Sequence, residues 1–257
     1  LDGVTGVQTC ALPILKGNLK KLLAGYMTQA NSSGFANSSF NFTGTTTQTV
    51  DAVLQNTNDV LRYRFFIKSG AYVQIINQDW RFADQSRLTV EDGGTLDFGF
   101  NGTTALNLTE TTSSATTLFA LNQRGTLKIT SPLGITAASS LTGNVQLDTR
   151  TYDQVATFWY IGKANQVTGN GITTASSAKV IICDLLDNNT TLTPSNQTGV
   201  SSTTTVDATY GGHLYIKKGQ FRETTSAYIT SSTGTLRMEQ GTLYYIPKGS
   251  ANATASN

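Results

Sequence analysis

The groups that could do chemistry in this chain are few and far apart. His213 is the single histidine, which removes any multi-histidine metal site and confines a histidine-based triad to that position. The closest acidic pairs are Glu91 with Asp92 and Asp184 with Asp187, and the nearest basic residues by sequence are Arg81 and Arg87. Cleaving an acidic polysaccharide needs such groups gathered on one face, either as two carboxylates flanking the glycosidic bond or as a Ca²⁺ cluster beside an Arg or Lys base. Stacking can bring distant segments together, yet carboxylates this scattered argue against a convergent site. The expectation is that the chain is not an enzyme and carries no cofactor. No GxxxxGK[ST] phosphate loop and no calcium-coil nonapeptide occurs. Cys183, in the apolar run VIIC, fits a small buried core residue better than a reactive thiol.

What remains is binding. Trp80, Trp159, Tyr215 and Tyr244 are the candidates for weak contact with glycans, because aromatic faces stack on sugar rings. Against this, Trp80 and Phe82 in DWRFAD sit where an aromatic at a strand end more often belongs to the core. His213 follows Gly212 in an outward slot, which predicts a solvated side chain.

Those residues are positioned by a repeat. GHLYIKKGQF (Gly212 to Phe221) and GTLRMEQGTL (Gly234 to Leu243) match at glycines and alternate apolar residues 22 positions apart. The phrase recurs as GTLDF at Gly94, GTLKI at Gly125 and GNVQL at Gly143, and GAYVQI at Gly70 carries it one residue out of step. Successive spacings are 24, 31, 18, 69 and 22, and the 69-residue gap has room for three units of about that size. Side chains alternate along a strand, so Leu214, Ile216, Leu236 and Met238 are expected inside, and His213, Tyr215, Thr235 and Arg237 outside. Units this short bury their apolar face only by stacking. The predicted fold is all-β, a single-stranded right-handed parallel β-helix (β-solenoid) of about 20–25 residues per turn, with on the order of eleven turns over about 50 Å.

Composition agrees. Only 13% of the 257 residues are charged, 38% are hydrophobic, and 10 Tyr and 11 Phe are present, unlike a disordered chain. Thr, Val, Ile, Tyr and Phe favour strands, and Gly, Asn and Ser supply turns. VTGVQTCALPI, residues 4–14, is identical to the conceptual translation of a short-read sequencing adapter. Residues 1–14 are therefore read as an artefact and residues 15–257 as a solenoid fragment, expected to be cut at both ends, with further repeats of the same chain beyond. Without Asp2 the 18 basic residues face 15 acidic ones. That balance gives no basic stripe for nucleic acid, and no apolar run is long enough for a membrane span. Leu15–Met27 has apolar residues at helical spacings, interrupted by Gly17 and Gly25; strands are preferred, and a capping helix is the alternative. The Asn-x-Ser/Thr triplets at Asn41, Asn101 and Asn196 are read as a product of composition.

GTLKITSPLGI followed by GNVQLDTRTYDQVATFWYIGKANQVTGNG resembles the repeat segments of large secreted adhesin-like β-helix proteins, exported by the type IX route in gliding and related bacteria. The family's strand ending in TRT-aromatic is matched by Thr149 to Tyr152, its Y-x-Y-x-G strand by Phe158 to Gly162, and its NQVTGNG turn by Asn165 to Gly171. The likeness covers residues 17–248. Departures are AKVIICDLL in place of a leucine-threonine-isoleucine strand, and no C-terminal sorting domain. The resemblance implies an extracellular or cell-surface location, partners among surface glycans or other cell-surface components, and a structural or adhesive segment of a large secreted protein. A carbohydrate-binding or carbohydrate-processing β-helix is the alternative.

Overall fold

The computed structural model describes residues 14–15, 19–20, 39–51, 63–82, 85–110, 116–137, 141–153, 155–172, 180–195, 198–199, 213–230 and 235–247. Among these residues the chain is all-β, without a helix. The first sheet has six parallel strands: Ile14–Leu15, Ser39–Phe42, Arg64–Ile67, Arg87–Val90, Leu118–Leu121 and Thr149–Tyr152. The second has nine, also parallel: Leu19–Lys20, Gln48–Asp51, Tyr72–Ile75, Thr95–Asp97, Thr126–Ile129, Thr157–Tyr160, Val180–Asp184, Leu214–Lys218 and Leu236–Met238. A third contains Gln166–Val167, Thr191–Thr193, Gln220–Arg222 and Leu243–Tyr245. Order across each of these sheets equals order along the chain, so each added strand lies beside its predecessor in that sheet.

Period-2 patterning explains the strands. In Arg64–Ile67 and Tyr72–Ile75 every second residue is buried, which sends Phe65, Ile67, Val73 and Ile75 into the core. Val180–Asp184 instead buries four residues in a row, the pattern of a parallel strand covered on both faces. Its outer face meets a small cluster of Val180, Ile182 and Tyr215, against which Trp159 packs. The main core runs unbroken from Leu19 to Ile229, and each fully buried aliphatic or aromatic side chain contributes roughly 1.5–3 kcal/mol relative to exposure.

The repeated phrases pair largely as their spacing predicts. Leu96 lies beside Leu127, and Leu214 and Ile216 lie beside Leu236 and Met238. The Gly70 phrase is displaced by one residue, with Val73 facing Leu96. GNVQL is the exception: it does not enter the second sheet, and Val145 makes one bridge to Leu108. Asn144 holds it there, its Oδ1 accepting from the Thr130 and Ser131 amides at 2.9 and 2.8 Å while its Nδ2 donates to the Leu106 carbonyl at 2.7 Å. The next partner of Leu127 is Phe158, and among the described residues two strands of the second sheet, Thr157–Tyr160 and Val180–Asp184, lie between Gly143 and Gly212. Partner-to-partner spacing is also wider than expected, reaching 33 residues between Ile181 and Leu214.

Facing needs a correction too. His213 is only 1% exposed and Tyr215 9%, whereas Leu236 and Met238 are 48% and 42% exposed. The alternation itself is right, but Leu236–Met238 is the last described strand of its sheet and no described strand covers its far side. In Leu15–Met27, the described residues Leu15, Leu19 and Lys20 are in strands, and the rest of that stretch lies outside the described residues. Ile14, the last residue of the adapter-like stretch, pairs with Asn41.

Corners use two devices. Gly44 and Gly162 each donate their amide at 2.8 Å to the side-chain oxygen of the glutamine four positions on, Gln48 and Gln166. A Cβ on either glycine would lie within 3 Å of that side chain. In the NQVTGNG turn, Gly169 has φ +81°, and a Cβ there would meet the Ile135 carbonyl oxygen at 2.0 Å. The backbones approach this closely because Ile135 donates to Thr168 and accepts from Gly171.

Candidate functional site

Among the described residues, the outer face of the nine-strand sheet assembles aromatic and charged groups across many strands. Register alone places Gln74, Asp97, Lys128, Trp159, Ile182, Tyr215 and Arg237 in one row. Parallel strands lie about 4.8 Å apart, so side chains at equivalent positions meet their neighbours directly.

At one end of the row Asp97, 3% exposed, is fully engaged. It accepts from the Tyr72 hydroxyl, from Gln74 Nε2 at 3.2 Å and from the Gly99 amide at 2.9 Å. Lys128 Nζ stands 4.0 Å from this carboxylate and donates to Tyr72 Oη at 3.0 Å. Burial, and then the hydrogen bond to Asp97, push the Tyr72 phenol far above its ordinary range. This hydroxyl is therefore a fixed donor, not a base.

Trp159 lies at the centre. Lys128 Nζ is 4.5 Å and Lys217 Nζ 4.9 Å from its ring centroid, and its Nε1–H donates to Asp184 at 3.1 Å. The same carboxylate oxygen takes Lys217 at 2.9 Å. At the far end Arg237 covers the Tyr215 ring at 4.4 Å, and Glu239 accepts from Tyr215 Oη at 2.6 Å and from Arg237 at 2.9 Å. The bond from Tyr215 holds the Glu239 carboxyl below the usual range and, reciprocally, holds the Tyr215 phenol above its own.

The four aromatics singled out in the sequence thus have different fates. Trp159 and Tyr215 join this row. Tyr244 belongs to the third sheet, packs edge-on against Phe221 with centroids 5.8 Å apart and donates to Glu223 at 2.6 Å. Trp80 is corrected: it is 0% exposed and wedged among Phe42, Phe65 and Phe82 at centroid distances of 6.2, 4.9 and 5.0 Å. It presents no face to a sugar.

The carboxylate pairs do not converge. Glu91 pairs with Lys68 at 2.6 Å, and Asp92 is held by Arg124, whose hydrogen bonds keep that carboxyl low. Asp184 belongs to the row, whereas Asp187 caps its own turn, accepting from the Asn189 and Thr190 amides at 2.8 and 2.9 Å. Arg81 and Arg87 lie in strands of different sheets, Trp80–Phe82 and Arg87–Val90, away from both pairs in register. Cys183 is fully buried, as its apolar setting predicts, and burial pushes its thiol up. Among the described residues no group of three His, Cys, Asp or Glu side chains could hold a metal ion, and no helix is long and apolar enough to cross a membrane.

Tyr72, Asp97 and Lys128 escape a reading by residue type, since none belongs to a catalytic or metal-binding motif. The signal lies in the repeat: Asp97 and Lys128 each stand three residues after the opening glycine of GTLDF and GTLKI, so stacking sets opposite charges side by side.

No family model, no curated protein and no solved structure matches the chain.

Proposed function

We propose that the chain is a structural and adhesive segment of a larger secreted cell-surface protein, wound as a right-handed single-stranded parallel β-helix. Nine parallel strands in chain order, at about 4.8 Å spacing, correspond to a length of about 40 Å. The reading rests on one observation: along the row from Tyr72 to Glu239 every carboxylate accepts from fixed donors, and the lysines and the arginine lie against aromatic rings. Such a surface is already satisfied internally. It supports a stiff spacer with weak, distributed contacts to surface glycans better than a catalytic groove, which needs a group left free to take or give a proton.

Two measurements test this. Small-angle scattering of the purified chain is expected to give an elongated particle of constant cross-section. Beads coated with the chain are expected to be retained weakly on polysaccharide-coated surfaces, without release of new reducing ends or unsaturated sugars from a panel of acidic and neutral polysaccharides. A compact particle would overturn the coil, and product release would overturn the adhesive reading in favour of a carbohydrate-processing one.

A further inference from the structure

His213 joins two strands through an acceptor that protonation destroys. The residue is 1% exposed and sits between Val180 on one side and Thr235 on the other in the register of the nine-strand sheet. The Thr235 amide donates to His213 Nδ1 at 3.0 Å, and the Thr235 hydroxyl lies 3.1 Å from the same nitrogen. An Nδ1 that accepts an amide proton fixes the neutral tautomer with hydrogen on Nε2. That Nε2 is buried and meets no hydrogen-bond partner.

We propose that His213 is a pH-sensitive clamp on the strand Leu236–Met238: neutral, it holds Thr235 and the strand that follows; protonated, it releases them. In imidazolium both nitrogens are donors, so Nδ1 can no longer accept the Thr235 N–H and its own proton finds only the Thr235 hydroxyl, 3.1 Å away, while Nε2–H stays buried without a partner as in the neutral ring. Among the described residues, the charged groups on the packed strands offer no compensation. Asp184 is taken by Trp159 and Lys217, and Arg237 and Glu239 by Tyr215 and each other. Burial alone lowers the readiness of His213 to protonate, with no charged neighbour contributing. Release would uncover Leu214 and Ile216, now 4% and 0% exposed, as an apolar strand edge, a surface prone to pair with another chain.

Because the folded state favours the neutral ring, the clamp is fully engaged above the ordinary histidine value, about pH 6.5, and weakens as pH falls through that value toward the folded one. The test is amide hydrogen exchange between pH 7.5 and pH 5.0, corrected for intrinsic pH dependence. The Thr235 amide and the Glu239 amide, which donates to Ile216 at 3.0 Å, are expected to open about 2- to 10-fold more at the lower pH, the range for losing one hydrogen bond. The Thr126 amide, in the middle of the same sheet, should not respond. In His213→Asn, whose side-chain oxygen can accept but does not titrate, the response should vanish. An equal response in that variant, or none in the parent chain, overturns the proposal. So does a His213 imidazole that titrates at or above the ordinary value by proton NMR, whatever the variant does.

Discussion

Lys128 Nζ donates to Tyr72 Oη at 3.0 Å across 56 positions of sequence. The same ammonium lies 5.0 Å from the Tyr72 ring centroid and 4.5 Å from that of Trp159, although Tyr72, Lys128 and Trp159 belong to different strands of one sheet. One side chain therefore ties the third strand of the sheet to the sixth.

Removing that tie should be costly for a surface residue. Lys128→Met keeps the aliphatic stem but loses both ring contacts and the bond to Tyr72, and leaves buried Asp97 without its nearest cation. A loss of about 1–3 kcal/mol is expected in urea unfolding, from the cation–π contacts and one charged hydrogen bond. Asp97→Asn in the same background should recover part of it, since the uncompensated charge is then gone. Additive losses in the double variant would show that the two groups do not act together.

Alkaline pH should act through tyrosine. Burial raises Tyr72, Tyr152, Tyr160 and Tyr244, and Asp97 and Glu223 add to the effect at Tyr72 and Tyr244. A phenol held up in the folded state contributes stability that is complete below about pH 10, its unfolded value, and is lost as pH rises beyond. Absorbance titration near 295 nm should show this group of tyrosines ionising only together with unfolding. Independent ionisation of all 10 near pH 10 would contradict their burial.

Two leucines in the same inward row should differ sharply. Leu127 is 0% exposed, with a strand on each side, and Leu236 is 48% exposed on the last described strand. Leu127→Ala is expected to cost about 2–5 kcal/mol and Leu236→Ala less than about 1 kcal/mol. Thermal melts compare them directly, and equal losses would mean that the Leu236 side is covered in solution.

Glycine substitutions separate strain from collision. Gly70 and Gly169 both have positive φ, +76° and +81°, yet a Cβ at Gly70 meets nothing within 4 Å while one at Gly169 strikes the Ile135 carbonyl. Gly70→Ala should cost about 1–2 kcal/mol of backbone strain. Gly169→Ala adds the clash and should cost at least about 3 kcal/mol. Chemical denaturation of the two variants measures the difference.

The row on the nine-strand sheet also marks how far each source of information reaches. From the sequence alone, alternation gives strands, the recurring glycine phrases give parallel stacking, and the pairs Leu96 with Leu127 and Leu214 with Leu236 follow from spacing, because side-chain period and strand stacking are local rules. Scatter along the chain argues against convergence of the carboxylates without deciding it, because stacking can bring distant segments together. Tertiary structure decided everything that depends on what lies one strand away. It buried His213 and Trp80, exposed Leu236, diverted GNVQL to the side of Leu108 through the hydrogen bonds of Asn144, and set Lys128 between Tyr72 and Trp159. The physical reason is that exposure and electrostatic partnership across a stack are properties of neighbours 20 to 60 positions distant, and loops of unequal length shift which neighbours those are.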